Sequence, residues 1–288
     1  MARRWWLVNI AQAILQIKET LNQGDVPDAR RDAELLVSFV AGKNKTFIVA
    51  HPEHELSADE TSRLDNLTSR RLAREPLQYI LGRQEFYGLE FDVTPDVLIP
   101  RPETEILVER AVEFLKPRGN HRFCEIGIGS GCISISVLYQ LKNVTAIAGD
   151  VSKAALTVSE RNAQKHGVRD RIQLIESDVY SNIPNMYFDA ILSNPPYVPE
   201  RDLTTLQPEV RDHEPQVALT SGAQGLDVIH KLVSGASSRL NDGGALIFEM
   251  GFNQSPLVSE LFDRHLWQSI EILPDLQGIP RIAFAVKR

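Results

Sequence analysis

From about residue 120 onward, short apolar runs alternate with longer amphipathic segments, and this alternation restricts the possible folds more than any other feature. The apolar runs predict seven strands, at residues 122–126, 144–149, 172–176, 190–193, 245–250, 269–273 and 281–286. Helices are predicted between most of them, for example at 152–166 and 226–240. Strands that alternate with helices form a mostly parallel sheet covered on both faces, which predicts an α/β fold. Because no helix separates the last two strands, we expect them to pair as a hairpin and to add one antiparallel strand.

The residues before position 80 carry a helical pattern instead. An apolar stripe with helical spacing predicts a first helix, at Leu7, Ile10, Ile14, Ile17 and Leu21. Asp28 is predicted to cap a second helix and Gly42 to end it, since glycine adopts the left-handed conformation that follows many helices. Ser57 and Glu60 have the spacing of a capping box, and Pro76 is expected to end the helix that follows. The pattern predicts a bundle of four or five helices.

A change of period separates these two regions. Around Gly88, alternating apolar residues predict a short hairpin, at Phe86, Leu89, Phe91 and Val93. Three prolines then keep the chain extended, namely Pro95, Pro100 and Pro102. A helix is predicted to begin near Glu103. We therefore predict a helical domain at 1–80, a hairpin linker at 81–98 and an α/β domain at 99–288.

The composition argues against several classes of protein. A net charge of -7 disfavours a protein whose main task is to bind the phosphate backbone of nucleic acids. The two cysteines, Cys124 and Cys132, lack metal-ligand spacing, and we interpret them as small buried residues in a reducing compartment. No segment has the length of a membrane span, and the N-terminal apolar stretch lacks the features of a signal peptide. We expect a cytoplasmic protein without a metal site.

The first predicted strand ends in a glycine-rich segment that leads directly into a helix, Gly127-Ile128-Gly129-Ser130-Gly131. Glycines allow positive φ angles and let a ligand approach the backbone, and ligands of such sheets bind at the carboxyl ends of the strands. A dinucleotide-binding loop requires a third small residue, glycine or alanine, at the position that Cys132 occupies. The spacing therefore disfavours a nicotinamide-dependent dehydrogenase.

Acidic residues follow the next two predicted strands. Asp150 ends the second strand, where a carboxylate can accept hydrogen bonds from both ribose hydroxyls of an adenosine. Alternatively, Asp150 caps the helix that begins near Ser152. Asp178 follows the third strand and can accept from an adenine amino group, while the backbone N–H of Val179 can donate to the ring. The alternative for Asp178 is a solvated turn residue.

The fourth predicted strand leads into Asn194-Pro195-Pro196-Tyr197, across from the glycine-rich segment. An amide nitrogen is a poor nucleophile that needs fixed geometry, and the Asn194 side-chain oxygen and the Pro195 carbonyl can accept from its N–H groups. Neither proline has an N–H and both fix φ, so the loop is rigid and presents oxygens. The Tyr197 ring offers a flat face for a planar group. Although Asn-Pro-Pro can simply mark a turn, its place after a strand predicts a catalytic and substrate-binding loop.

Further motifs point to a family of enzymes. They are the segments at 74–80, 98–105 and 213–215, together with Gly82, Glu85-Phe86, Gly88-Leu89 and Gly225-Leu226. With these motifs and the 194–197 loop, the chain resembles the bacterial peptide chain release factor N5-glutamine methyltransferases over nearly its whole length. The loop alone is shared with adenine N-methyltransferases, whereas the segment Leu-Ile-Pro-Arg-Pro-Glu-Thr-Glu at 98–105 is more specific.

The resemblance implies a class I methyltransferase that uses S-adenosyl-L-methionine and releases S-adenosyl-L-homocysteine. Its fold would be a Rossmann-like, seven-stranded sheet that contains one antiparallel strand. The implied substrate is the side-chain amide nitrogen, N5, of the glutamine in the Gly-Gly-Gln motif of class-1 peptide chain release factors. The 1–80 domain is then expected to dock the release factor, the alternative being that it only stabilises the fold, and 99–288 is the catalytic domain.

The resemblance also assigns the site residues. Gly127 to Gly131 are expected to hold the methionine part of the cofactor and Asp150 the ribose, with Asp178, Val179 and Asn194 completing the cofactor site. Asn194 to Tyr197 are expected to hold the glutamine.

The segment at 99–105 is expected to close over the cofactor. Within it, Arg101 and Glu103 either contact a ligand or form a surface ion pair. Two residues depart from the pattern of the family. Glu125 stands where aspartate is more usual, and Val179 stands where some relatives carry an aromatic residue, so stacking on the adenine is not expected there.

Two other functions stay open at this point. An adenine-N6 methyltransferase would share the catalytic loop, but it would need a basic channel and usually a base-reading domain, and neither is evident in the sequence. A non-catalytic cofactor-binding protein would have no need for the 194–197 loop. We therefore expect class-1 peptide chain release factors as partners, with neither direct nucleic-acid binding nor membrane binding.

Overall fold

The computed structural model describes residues 8–116 and 119–288. These residues form two compact units, which we describe separately. The first unit contains the described residues up to Gly82 and the segment Pro208–His213, and the second contains Arg83–Gln207 and Glu214–Arg288. The elements in chain order are α1 (Ile10–Gln23), α2 (Ala29–Ala41), α3 (Lys45–Ala50), α4 (Ala58–Leu72), α5 (Leu77–Leu81), β1 (Arg83–Phe86), β2 (Leu89–Asp92), α6 (Glu105–Leu115), β3 (His121–Ile126), α7 (Cys132–Gln140), β4 (Val144–Asp150), α8 (Lys153–Lys165), β5 (Ile172–Glu176), β6 (Phe188–Ser193), α9 (Pro208–His213), α10 (Asp227–Ala236), β7 (Leu240–Glu249), α11 (Ser255–Glu260), β8 (Trp267–Pro274) and β9 (Pro280–Lys287).

In the first unit, α1 to α5 enclose an apolar core whose fully buried members include Ile10, Leu21, Leu36 and Leu64. The predicted capping box is present at the start of α4, because the Ser57 hydroxyl accepts from the N–H of Glu60 and the Glu60 carboxylate accepts from the N–H of Ser57. Gly42 ends α2 in the left-handed conformation, as predicted. The predicted stripe position at Leu7 lies outside the described residues.

Two local predictions in this unit are wrong. Asp28 precedes α2 but makes no capping hydrogen bond, because its own backbone is left-handed and a capping side chain requires an extended backbone. Pro76 does not end α4, which stops at Leu72 and is followed by Arg74 with a positive φ of 64°. Pro76 instead stands just before α5, where its missing N–H costs no helical hydrogen bond.

A buried ion cluster connects α2, α4 and α9 within the first unit. Arg71 donates to Asp32 over 2.7 Å and to Glu209 over 3.0 Å, and Arg74 donates to the same Glu209 over 2.8 Å. Although burial acts in the opposite direction, hydrogen bonds from the two arginines lower the pKa of Glu209. The cluster ties α9, which comes late in the chain, to the N-terminal helices by paired charges.

The second unit contains a seven-stranded sheet in the order β5-β4-β3-β6-β7-β9-β8. Strands β3 to β7 pair in parallel, and β9 is antiparallel to both β7 and β8. The predicted α/β fold and its C-terminal hairpin are confirmed, and each predicted strand overlaps an observed one. A separate hairpin, β1 with β2, turns at Tyr87 and Gly88, and both have the positive φ that tight hairpin turns require.

Apolar clusters cover both faces of this sheet. Successive residues of a strand point to opposite faces, so that Ala190 and Leu192 of β6 join one cluster and Ile191 joins the other. Helices α6, α7 and α8 contribute to the first cluster, and α10 and α11 to the second. The chain runs outward from β3 in one direction through β4 and β5, and then returns to build β6 and β7 on the other side. The carboxyl ends of β3 and β6 therefore form the switch point at which such sheets bind ligands.

Candidate active site

A cavity of about 320 Å³ lies within the second unit at this switch point. It is lined by eight of the residues that the sequence assigns to the cofactor, Gly127, Ile128, Gly129, Ser130, Asp150, Asp178, Val179 and Asn194. The lining also includes Pro196, residues from the 96–104 segment, and residues 215, 217 and 218. The structure thus brings most of the predicted site residues together at one place.

The glycine-rich segment follows β3 as a tight loop. Gly127 and Gly129 have φ angles of 76° and 54°, and a Cβ added to either would meet no atom within 4 Å. Glycine is therefore favoured at both positions by backbone conformation and not by crowding. The N–H groups of Gly127 and Ile128 donate to the carbonyl of Gly149 over 2.8 and 3.0 Å, which fixes the loop against the end of β4.

Gly131 has a different role in the structure. It is not among the residues that line the cavity, and it precedes α7 with a φ of 86°. A Cβ at this position would lie 2.6 Å from Cδ1 of Ile135 and 3.3 Å from Cβ of Ser159. Close packing and backbone conformation both account for this glycine, and its predicted contact with a cofactor stays a prediction.

Asp150, at the end of β4, accepts hydrogen bonds at both carboxylate oxygens. Gly129 donates its N–H to Oδ2 and Ser152 donates its N–H to Oδ1, each over 2.9 Å. The side-chain cap of α8 is Ser152 itself, whose hydroxyl accepts from the N–H of Ala155. Burial raises the pKa of Asp150, and these backbone donors oppose that rise. Asp150 therefore joins the glycine loop to the start of α8 at the cavity wall.

Glu125, at the end of β3, is completely buried and lines the same cavity. Its Oε2 accepts from the N–H of Ser134 over 2.9 Å, whereas its Oε1 has no hydrogen-bond partner among the described residues. Burial raises the pKa of Glu125 to about 8, the hydrogen bond from Ser134 opposes the rise, and the charge of Asp150 adds to it. A buried carboxyl oxygen without a partner is costly, which makes it a place for a donor or a cation from a ligand.

The turn after β5 places Asp178 and Val179 at the cavity. The Asp178 carboxylate is largely exposed and forms an ion pair with Lys231 at 3.0 Å. Val179 is buried with a φ of 50°, a left-handed conformation that costs a residue other than glycine about 1–2 kcal/mol. Such strained residues tend to occur where a ligand is bound. The predicted contacts of Asp178 and Val179 with the cofactor stay a prediction, and both residues lie at the cavity.

The loop at 194–197 leaves β6 directly beside the end of β3. Ser193 donates its hydroxyl to the carbonyl of Ile126 over 2.7 Å, which joins the two strand ends. Asn194 and Pro196 line the cavity, and Asn194 donates its side-chain N–H to the Thr104 hydroxyl over 3.1 Å. Tyr197 lines a neighbouring cavity of about 470 Å³ instead. The loop therefore separates two cavities and contributes residues to both.

Tyr197 is held at its hydroxyl and at its carbonyl. The hydroxyl donates to Oε1 of Glu249 over 3.0 Å, and burial raises its pKa. The carbonyl accepts from the side-chain amide of Gln254 over 3.0 Å. At Gly225 an added Cβ would lie 2.0 Å from this carbonyl oxygen, so only glycine allows the backbone to approach so closely.

Arg101 lies at the cavity and donates to the buried carboxylate of Glu214, which also accepts from the N–H of Ile99 over 3.2 Å. The predicted alternative of an ion pair with Glu103 is therefore wrong. The carboxylate of Glu214 is buried, whereas an exposed ion pair with Glu103 would contribute little free energy in water. This contact fastens the segment at 99–105 to residue 214 within the second unit.

Sequence reasoning missed three residues at this site, Thr104, Glu249 and Glu214. Glu249 had a usable signal, because it is a charged residue that directly follows the apolar run 245–248 in a strand that neighbours β6. Thr104 and Glu214 lie in the motifs at 98–105 and 213–215, but no local pattern indicates their partners. Across residues 8–116 and 119–288, no group of three or more His, Cys, Asp or Glu side chains could hold a metal ion. None of the described helices is long and apolar enough to cross a membrane.

The fold and the cavity at its switch point define a methyltransferase. Residues 103–209 match the methyltransferase small domain, and the second unit has the fold of this class. A 16S rRNA methyltransferase of T. thermophilus, solved in complex with AdoMet and guanosine, shares 20% identity with a TM-score of 0.52, and the match covers 72% of this chain and 50% of that one.

The particular family is shown by the N-terminal residues and by full-length relatives. Residues 12–82 match the PrmC N-terminal domain. The release factor glutamine methyltransferase of Koribacter versatilis is 37% identical over 97% of this chain and 99% of its own length. That of Geobacter sulfurreducens is 39% identical over 91% of each chain. The chain belongs to the release factor glutamine methyltransferase family.

Proposed function

We propose that this protein transfers a methyl group from S-adenosyl-L-methionine to N5 of the glutamine in the Gly-Gly-Gln motif of class-1 peptide chain release factors. The observation that carries the proposal is the hydrogen bonding of the Asn194 side chain at the cavity. Its side-chain nitrogen is engaged by Thr104, and among the described residues no group donates to its oxygen. That oxygen is left to accept from a substrate N–H, which is the contact that an amide nucleophile needs.

The residues at the cavity suit the proposed cofactor. S-adenosyl-L-methionine would supply an electrophilic methyl group on a sulfonium, next to an ammonium and a carboxylate. The unpartnered oxygen of Glu125 suits a cationic or N–H group, and the open space at Gly127 and Gly129 lets a ligand lie against the backbone. Asp150 would accept from the ribose hydroxyls, and Asp178 and Val179 would contact the adenine.

The 194–197 loop would hold the substrate by hydrogen bonds and stacking. A primary amide has two N–H groups, and the oxygens of Asn194 and Pro195 can each accept one. The Tyr197 ring would pack against the planar group, and it is kept in place through its hydroxyl and carbonyl. Catalysis would then come chiefly from orientation, because a fixed amide presents its nitrogen in one direction only.

The role of the helical unit and the place of the reaction belong to the same proposal. We assign residues 1–80 to release factor docking, 81–98 to a linker and 99–288 to catalysis, except that Pro208–His213 belongs to the helical unit. Because release factors act on ribosomes, the reaction takes place in the cytoplasm. The net charge of -7 supports a protein partner over nucleic acid.

The direct test is methyl transfer from labelled S-adenosyl-L-methionine. The acceptors are a class-1 release factor, the same factor with its motif glutamine replaced, and DNA or RNA. We expect label only in the unchanged factor. Label in nucleic acid would favour an adenine methyltransferase, label that persists without the glutamine would reject the assigned target, and no label in any sample would favour a binding protein.

Asn194→Ala tests the assignment of the loop. We expect turnover to fall by about 10²- to 10³-fold, as for the loss of one orienting hydrogen bond at a reacting centre. Cofactor affinity, measured by calorimetry, should change little. Asn143→Ala, at an exposed position away from the cavity, is the matched control. Turnover in Asn194→Ala equal to that of the control would refute the role of Asn194.

A further inference from the structure

A chain of buried hydrogen bonds lies behind the catalytic loop. Asn194 donates from Nδ2 to Oγ1 of Thr104 over 3.1 Å, and Thr104 donates its hydroxyl to Oε2 of Glu249 over 2.6 Å. The other carboxylate oxygen of Glu249 accepts from the Tyr197 hydroxyl over 3.0 Å. Thr104 and Glu249 are both about 1% exposed. Two residues of the loop are thus connected to one carboxylate, Asn194 through the Thr104 hydroxyl and Tyr197 directly.

The chemistry of these groups fixes which group donates and which accepts in each of these hydrogen bonds. A threonine hydroxyl has one hydrogen, and here it is donated to Glu249. The Thr104 oxygen can therefore only accept from Asn194. The side-chain amide of Asn194 has a donor end and an acceptor end, so the donor end must face Thr104 and the acceptor end must face away.

We propose that Thr104 and Glu249 are positioning residues that fix the Asn194 side chain with its oxygen toward the substrate, and this inference rests on the proposed function. Glu249 holds Tyr197 at the same time, so that the acceptor and the stacking surface are fixed by one group. Neither Thr104 nor Glu249 has to touch the reacting nitrogen.

The orientation matters because the substrate is also an amide. A glutamine side chain can enter with either its nitrogen or its oxygen toward the methyl donor. Acceptors at Asn194 and Pro195 bind the N–H groups and thus present the nitrogen. If the Asn194 side chain turned by 180°, its N–H groups would face those of the substrate, and it would favour the substrate oxygen instead. The Thr104–Glu249 pair therefore acts on the choice between the two ends of the glutamine amide.

The test replaces the hydroxyl of Thr104 while keeping the shape of the side chain. Thr104→Val removes both hydrogen bonds, and Thr104→Ser retains them. We expect Thr104→Val to lower kcat for release factor methylation about 10- to 100-fold, as a small misplacement of a positioning contact does. Thr104→Ser should retain most of the activity that Thr104→Val loses. Cofactor affinity should be similar in the two variants. Thr145→Val, an exposed position of β4, is the matched control for the substitution itself.

A double-mutant measurement distinguishes positioning from general damage. In single-turnover reactions with excess enzyme, Thr104→Val should add little further loss to Asn194→Ala, because Thr104 acts through the side chain already removed. A structural defect would lower the rate again in that background. Equal kcat for Thr104→Val and the unchanged protein would overturn the inference, as would failure of Thr104→Ser to restore activity or full additivity with Asn194→Ala. Failure of the unchanged protein to label the release factor would instead reject the proposed function.

Discussion

Replacing Glu125 with glutamine removes an ionisable group from the wall of the cavity while keeping its size and its acceptor for the N–H of Ser134. Glutamine imitates the protonated carboxyl, since both are neutral and both can accept that hydrogen bond. The variant therefore isolates the cost of a charge at a completely buried position. We expect it to stabilise the cofactor-free protein at neutral pH and to weaken cofactor binding.

The size of the effect follows from the pKa of Glu125. Burial raises the pKa to about 8 in the folded protein, against 4.5 as the ordinary value. Between these two values the unfolded chain has lost this proton and the folded protein retains it, so the stability of the unchanged protein falls as pH rises. Each pH unit above 4.5 costs about 1.4 kcal/mol, which amounts to roughly 3 kcal/mol at pH 7 and less than about 1 kcal/mol at pH 5. The stability that Glu125 provides at low pH is lost progressively until about pH 8.

The assay is chemical denaturation of both proteins without cofactor, at several pH values between 5 and 8. Other ionisable groups are present in both proteins, so that only their coupling to Glu125, as for Asp150, remains in the difference. The free energy of unfolding of Glu125→Gln, minus that of the unchanged protein, should grow by about 2 to 3 kcal/mol from pH 5 to pH 7. A difference that stays constant over this range would show that Glu125 does not titrate there, and the argument from burial would be refuted.

The remaining predictions concern the backing of the loop and the ion cluster. Gly225→Ala should cost about 2–4 kcal/mol and reduce activity, because its Cβ would lie 2.0 Å from the carbonyl oxygen of Tyr197. At Gly243, which has the same φ of 71°, an added Cβ would meet no atom within 4 Å, so Gly243→Ala should cost only about 1 kcal/mol. Glu209→Gln should destabilise the protein by about 3 kcal/mol in urea denaturation, because Arg71 and Arg74 would then have only the carboxylate of Asp32 to balance two positive charges. Glu34→Gln breaks a more exposed pair and should cost less than about 1 kcal/mol.

Each matched pair has a clear contradictory result. Similar losses for the two glycine variants would mean that φ strain alone, and not contact with the loop, decides the effect. Similar losses for the two glutamate variants would mean that burial of the ion cluster adds nothing to its strength.

The positions of the strands were predictable because their causes are local. Apolar runs such as Ile191 and Leu192 in β6 are short, rich in branched residues and bounded by turn residues, and they form strands wherever the sheet places them. Most of the residues that line the cavity were predictable for a related reason, since they directly follow those strands. The glycines at 127 and 129 were predicted from the same rule, and their positive φ angles agree with it.

Predictions failed where a residue depends on distant neighbours or on backbone conformation. Asp28 has the right side chain for a cap, but its left-handed backbone directs it elsewhere. Arg101 pairs with Glu214, which is 113 positions away, instead of with nearby Glu103. The cofactor contact of Gly131 stays a prediction, and only the structure shows that close packing against Ile135 also favours glycine at this position.

The sequence by itself determined which segments become strands and helices, and which chemical groups follow each strand, because periodicity and turn residues act over a few positions. Only the tertiary structure decided that Asn194, Thr104 and Glu249 form one hydrogen-bonded chain. Their separations of 90 and 145 positions carry no local signal, and the contact exists because the sheet places β6 beside β7. A buried polar group must find its partner in space, and the order of the strands decides which partner that is.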